Sequence, residues 1–118
     1  MLSYEERVDY FMNAVQHLNT IAAFNDIVLE GKPMEKQGKK NSFWSTTHFS
    51  GYRDIGTGRD LTGEAKIYAN LRDLQTEEAI LEAIDHEANH IVPMAAGYYT
   101  ASIRKHLKEV SNEQGDNL

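Results

Sequence analysis

Residues 64–93 carry two hydrophobic periods back to back, and together they fix the class of fold. In residues 64–71, Ala65, Ile67, Ala69 and Leu71 alternate with Lys66, Tyr68 and Asn70. A period of two describes a strand with one buried face and one wet face. After a short connection over residues 72–75 the period changes. Ile80, Leu81, Ile84, Ala88 and Ile91 recur at three- and four-residue steps, which is the stripe of an amphipathic helix. Thr76 is a natural N-cap for it, and Glu77 and Glu78 sit where the helix dipole favours negative charge. Pro93 has no amide hydrogen to continue the helix, so the helix is predicted to end near Val92.

The other segments fit around this unit. Ser3 and Glu6 form a capping box, and Tyr4, Val8, Phe11, Val15, Leu18 and Ala22 make one stripe, predicting a helix over residues 4–24. Gly31, Pro33 and Gly38 punctuate residues 30–42, which read as a loop made basic by Lys32, Lys36, Lys39 and Lys40. Aromatic and β-branched residues over 43–52 predict a strand without a cleanly apolar face, so an edge strand. His48 on that strand reads as a surface side chain. Residues 53–63 read as a hairpin turn or wide loop; Gly56 and Gly58 lack the Gly-Lys-Ser/Thr continuation of a phosphate loop. Gly97 permits a bend after Pro93, and Ile103, Leu107 and Val110 mark a last helix over residues 98–113. Residues 112–118 are expected to fray. The prediction is an α+β fold: an N-terminal helix, two to three antiparallel strands, a helix carrying the histidines, and a C-terminal helix.

Composition narrows the chemistry. At 118 residues the chain has the length of one domain over 1–118 and can bury one core. It has no cysteine, which excludes a disulfide framework, a zinc ribbon and a thiol nucleophile. Any metal must use His, Asp or Glu. A net charge of −6 argues against nonspecific nucleic-acid binding by the surface at large. The first residues have no basic or apolar leader, and no stretch reaches membrane-spanning length, so a soluble, cytoplasmic protein is expected.

One segment has residue types and spacing that together suggest a reaction. His86, Glu87 and His90 read His-Glu-x-x-His. On a helix, positions i and i+4 share a face one turn apart, so both imidazoles can reach one metal ion. Glu87 beside them can take a proton from a metal-bound water. The surroundings suit a helix: Ala88 and Asn89 inside the motif are uncharged, and Ile91 and Val92 after it are apolar. His86 and His90 fall away from the core stripe and line up with Ala79 and Ala83, small residues that leave room for an approaching group. The plainer reading is an amphipathic helix with two histidines on its flank.

The motif and its flanks are similar to those of zincin-type zinc metallopeptidases. The order of elements over residues 43–110 most resembles the small SprT-like metallopeptidases of bacteria and phages. The resemblance implies a zincin-like domain that hydrolyses a peptide or protein substrate, with zinc on His86 and His90 and Glu87 as general base and acid. A third ligand is then expected downstream, His106 first and Glu109 second. Leu107 follows His106 where such relatives tend to have glycine, and their zinc ribbon is missing. Tyr98 or Tyr99 is the candidate for steadying an oxyanion, and strand 64–71 the candidate for pairing with an extended substrate. Two other readings stand beside this one. One is a non-catalytic phage or mobile-element protein that binds and inhibits a host protein. The other is a zinc-binding domain in which Glu87 is idle.

Overall fold

The computed structural model describes residues 2–35, 42–55 and 58–116, without the side chains of residues 51–55, 58–61 and 111–116. Three helices and three strands follow in the order α1 (Tyr4–Leu18), β1 (Ile27–Met34), β2 (Phe43–Ile55), β3 (Gly58–Asn70), α2 (Glu77–Ile91) and α3 (Tyr98–Asp116). This is the expected α+β fold. The sheet order is β1-β3-β2, so the last strand lies in the middle. β2 and β3 pair antiparallel, as expected. β1 pairs with β3 in parallel, which makes the sheet mixed.

The strand β1 takes in residues 30–34, the first part of a segment read as loop, and the two apparent breakers there have other work. A Cβ on Gly31 would meet Phe11 Cε2 at 3.0 Å and Met12 Sδ at 3.1 Å. Glycine there lets α1 approach the sheet closely. Pro33 pairs in register with Ala69 on an edge strand, where a missing donor is tolerated. Lys36, Lys39 and Lys40, and the turn residue Gly56, lie outside the described residues.

α1 keeps its capping box, with Ser3 N donating to Glu6 at 2.9 Å and Glu6 N donating to Ser3 Oγ at 3.2 Å. It stops at Leu18, short of the expected residue 24, because Asn19 is drawn to the sheet edge. The Asn19 amide donates to Leu29 O at 2.9 Å, and its carbonyl accepts from Leu29 N at 2.8 Å, as a neighbouring strand would. A 3-10 turn over Ala22–Phe24 then buries Phe24.

The helices cover the sheet face formed by Ile27, Leu29, Ala65, Ile67 and Ala69, all buried. Phe11, Val15 and Leu18 of α1 and Ile80, Leu81, Ile84 and Ile91 of α2 close the core over it, joined by Ile103 of α3. The opposite face stays wet: Val28 is exposed, and Trp44 and Tyr68, cross-strand partners, stack at 5.0 Å with ring planes 7° apart. Among the described residues no helix is long and apolar enough to cross a membrane.

Candidate metal centre

The helix α2 begins as its sequence asks, with the Thr76 hydroxyl accepting from Ala79 N at 3.1 Å. It ends at Ile91, two residues before Pro93. Its buried side chains are Ile80, Leu81, Ala83, Ile84, Glu87, Ala88 and Ile91. Ala83, expected to leave open space beside the histidines, is part of the core. At about 100° per residue, Glu87 falls between Ala83 and Ile80, on the side of the apolar stripe nearer the histidines. His86 and His90 lie on the stripe's edge and reach solvent.

The three side chains converge. His86 Nε2 and His90 Nε2 are 3.0 Å apart. Glu87 is only 6% exposed as a residue, and its Oε2 stands 3.9 Å from His86 Nε2. One ligand atom from each of the three lies within 4.8 Å of the others, and among the described residues this is the group of three or more able to hold a metal ion. The donor set fits a borderline divalent metal such as zinc. Nitrogen ligands at 2.0–2.1 Å in a tetrahedron are separated by about 3.3 Å, close to the imidazole spacing seen here. Phe43, the first residue of β2, sets its ring against His86 at 5.6 Å and 76°, so the sheet walls one side of the group.

The other wall is the connection from α2 to α3, held by residues of the motif helix itself. Asp85 Oδ1 accepts from Tyr99 N and Thr100 N, both at 3.1 Å, and so caps α3 from a distant position in the chain. Asn89 Nδ2 donates to Asp85 O at 2.9 Å and to Asp85 Oδ2 at 3.3 Å. Asn89 Oδ1 accepts from Met94 N at 2.8 Å. Between this connection and the histidines lies an open depression of ≈ 390 Å³, lined by Asp85, His86, Asn89, His90, Met94 and Ala96.

The downstream candidates stand elsewhere. His106 stacks on His17 of α1, ring centres 4.4 Å apart and planes at 13°. Neither His106 nor Glu109 joins the group at His86. α3 packs on both α2 and α1, and its histidine faces α1. His17 also hydrogen-bonds Ser102 Oγ at 2.9 Å. Burial, helped by the neighbouring His106, pushes the His17 pKa below its ordinary value, while Glu109 pulls the other way. Tyr99 is fully buried, and its hydroxyl donates to Val92 O at 2.6 Å. Burial, with Tyr98 and Asp85 beside it, pushes Tyr99 up to about 12. Its donor is committed, which removes it as an oxyanion partner. Tyr98 is 43% exposed at the start of α3 and does not line the depression.

Sequence reasoning found His86, Glu87 and His90 but passed over Phe43, Asp85 and Asn89. A signal for Glu87 as a buried group was present, since its place in the stripe follows from counting. Asp85 and Asn89 left no comparable trace, because what they bind is backbone brought near by the turn. No family model, no curated protein and no solved structure matches the chain.

Proposed function

We propose that the chain is a zinc-dependent hydrolase of peptide bonds, of the zincin kind, in which His86 and His90 hold the metal and Glu87 moves the proton. The carrying observation is the convergence: Glu87, a buried residue at 6% exposure between Ala83 and Ile80, brings its carboxylate to the same point as two imidazoles. Burying a carboxylate is costly unless a charge or metal compensates it.

Bound zinc supplies Lewis acidity, which polarises a carbonyl and brings the pKa of water toward neutrality. The residues of the chain do the rest. Glu87, at Oε2, accepts the proton of the attacking water and hands it to the departing nitrogen. Its burial keeps the carboxylate in one orientation, so it needs no rearrangement when the proton arrives. Phe43 and the α2–α3 connection hold the imidazoles between two walls and exclude water from two sides.

The substrate strand needs an unpaired sheet edge. β3, the strand expected for this role, is paired on both sides and cannot supply one. β2 is an edge strand, and its first residue touches His86. An extended peptide added to β2 would run past the histidines with its main chain held by hydrogen bonds.

Metal content of untagged protein, measured by elemental analysis beside His86→Ala, tests the reading. The expected result is one zinc per chain in the native protein, lost in the variant, with peptide release from a denatured protein substrate that a chelator stops. Failure to take up added zinc would overturn it.

A further inference from the structure

The sheet ends in two unlike edges. β1 is closed: Asn19 fills the place of a neighbouring strand at Leu29, and Pro33, four residues on and so on the same outward side, has no donor to offer. β2 is the other edge, and among the described residues no strand pairs with its outer side. Three hydrogen bonds fix which of its backbone groups face outward. Asn70 N donates to Ser42 O at 2.7 Å, on the β2 side, while Gly63 N and Leu71 N donate to the β1 side, to Asp26 O at 3.0 Å and Met34 O at 2.8 Å. Sides alternate along a strand, so Glu64, Lys66, Tyr68 and Asn70 turn their amides and carbonyls to β2. The register pairs the first three with His48, Thr46 and Trp44. Phe43, Ser45, Thr47 and Phe49 therefore turn theirs outward, an unbroken row that ends at the register shift between Phe49 and Gly51. Sheets commonly guard such a row with lysine, proline or an inward charge. From Phe43 to Ser50 there is no Lys, Arg, Asp, Glu or Pro.

We propose that β2 pairs with β2 of a second copy of this chain, antiparallel about a two-fold axis through Thr46, joining the two sheets into one. A two-fold matches residue i with j and j with i. Centred on Thr46, it matches Phe43 with Phe49 and Ser45 with Thr47, in both directions. Each of these pairs exchanges two main-chain hydrogen bonds, and every outward group of both rows finds a partner. A centre on Ser45 or Thr47 would leave one end of each row facing past the other. The row is self-complementary in its side chains as well. The chain carries −6, yet no carboxylate lies along this segment, so two copies meet here without opposing like charges. Ser45 meets Thr47 and Thr46 meets Thr46, hydroxyl pairs that suit neighbouring strands. Phe49 is 45% exposed although it lies on the helix-covered face with Phe43, as their partners Gly63 and Ala69 show. In the pair, Phe49 of the second copy comes beside Phe43, whose ring touches His86. Resting on the function proposed above, the pairing also takes the edge that a substrate strand would use, so the single chain is the form that admits peptide.

The test reads association and register, so it does not depend on turnover. The chain has no cysteine, so a single introduced thiol reports on its own position. Thr46 and His48 are both exposed. In the proposed pair Thr46 meets its own copy at a non-hydrogen-bonded position, where Cα atoms stand about 4.5 Å apart, within reach of a disulfide. His48 lies opposite Trp44, which puts its own copy about 13 Å away. Thr46→Cys treated with oxidised glutathione should cross-link into a dimer, and His48→Cys should not. In sedimentation over a dilution series, the native chain should pass from dimer to monomer. Thr46→Lys, which sets two ammonium groups face to face on the axis, should weaken the association by about fivefold. His86→Ala should associate as the native chain does, because the metal takes no part in the pairing. A native chain that is monomeric throughout the series would overturn the proposal, and so would cross-linking of His48→Cys as fast as Thr46→Cys. A dimer that Thr46→Lys leaves unchanged would overturn it too. A cross-linking dimer that takes up no zinc would uphold the pairing and remove only its effect on peptide access. A monomer that takes up zinc would lose the pairing and keep the metal site.

Discussion

Position 87 sets the residue-scale question, because the same carboxylate can serve as base or as ligand. It lies in the His-Glu-His group with its oxygen 3.9 Å from His86 Nε2. Glu87→Gln keeps the shape and removes the charge, so it separates the two roles. As a base, Glu87 is dispensable for holding zinc: the variant should keep its metal and lose about 100-fold or more in peptide release. Zinc loss as complete as in His86→Ala would make Glu87 a ligand. The motif was legible because its chemistry is written in residue types three and four apart, which a helix converts directly into proximity. The place of His106 was not legible. Which helix His106 meets depends on how α3 leans, and its ring pairs with His17, far away in sequence. Tyr98 and Tyr99 look alike as letters, yet one is exposed and the other buried and committed to Val92 O.

At the scale of elements, the two strongest periods, in β3 and α2, survived folding intact, and β1 was missed because its glycine and proline serve contacts with other elements. Gly63 makes a similar point. A Cβ there would meet His48 O at 2.3 Å and Phe49 Cα at 2.9 Å, beside the register shift between Phe49 and Gly51. Both neighbours are backbone and cannot swing aside, so Gly63→Ala should destabilise the chain by about 1–3 kcal/mol in urea unfolding. An unchanged midpoint would mean that the β2–β3 pairing yields there at little cost. Asp85→Ala removes the acceptor for Tyr99 N and Thr100 N and should cost about 1–2 kcal/mol. Its amide exchange should quicken at the first turn of α3 before anywhere else. The contact of α1 with α3 depends on pH through His17. Its pKa is lowered in the folded chain, so the unfolded chain binds the proton more readily. That part of the stability is complete above the ordinary value of 6.5 and is lost as pH falls below it, down to the folded pKa. His17→Gln should flatten the slope of stability between neutral and mildly acidic pH; an unchanged slope would place its source in other groups.

The whole molecule is a thin slab, 47 × 43 × 21 Å, with a radius of gyration of 15.2 Å against about 13.5 Å for a compact chain of this length. The β2–β3 pair accounts for part of this, since β1 reaches only from Gly63 to Asn70 along β3 and the distal pairing of Gly51–Ile55 with Gly58–Thr62 continues without a third strand. The core lies under the three-stranded part and is assembled from α1, the sheet, α2 and α3. The metal group is placed differently: all three of its side chains come from one turn of α2. A metal there ties no two elements together, so it cannot be what holds the fold. Chelated protein should therefore keep its helical circular dichroism and still melt cooperatively. Zinc should raise the melting temperature only by mass action. At a hundred times its dissociation constant that is about 2.7 kcal/mol, on the order of 10 °C for a domain of this size, and the gain should keep growing with the logarithm of free zinc. Melting curves at several buffered zinc concentrations, beside a chelated sample, check this. Loss of structure on chelation would require a ligand from another element, and the site would then belong to the scaffold as well as to the chemistry.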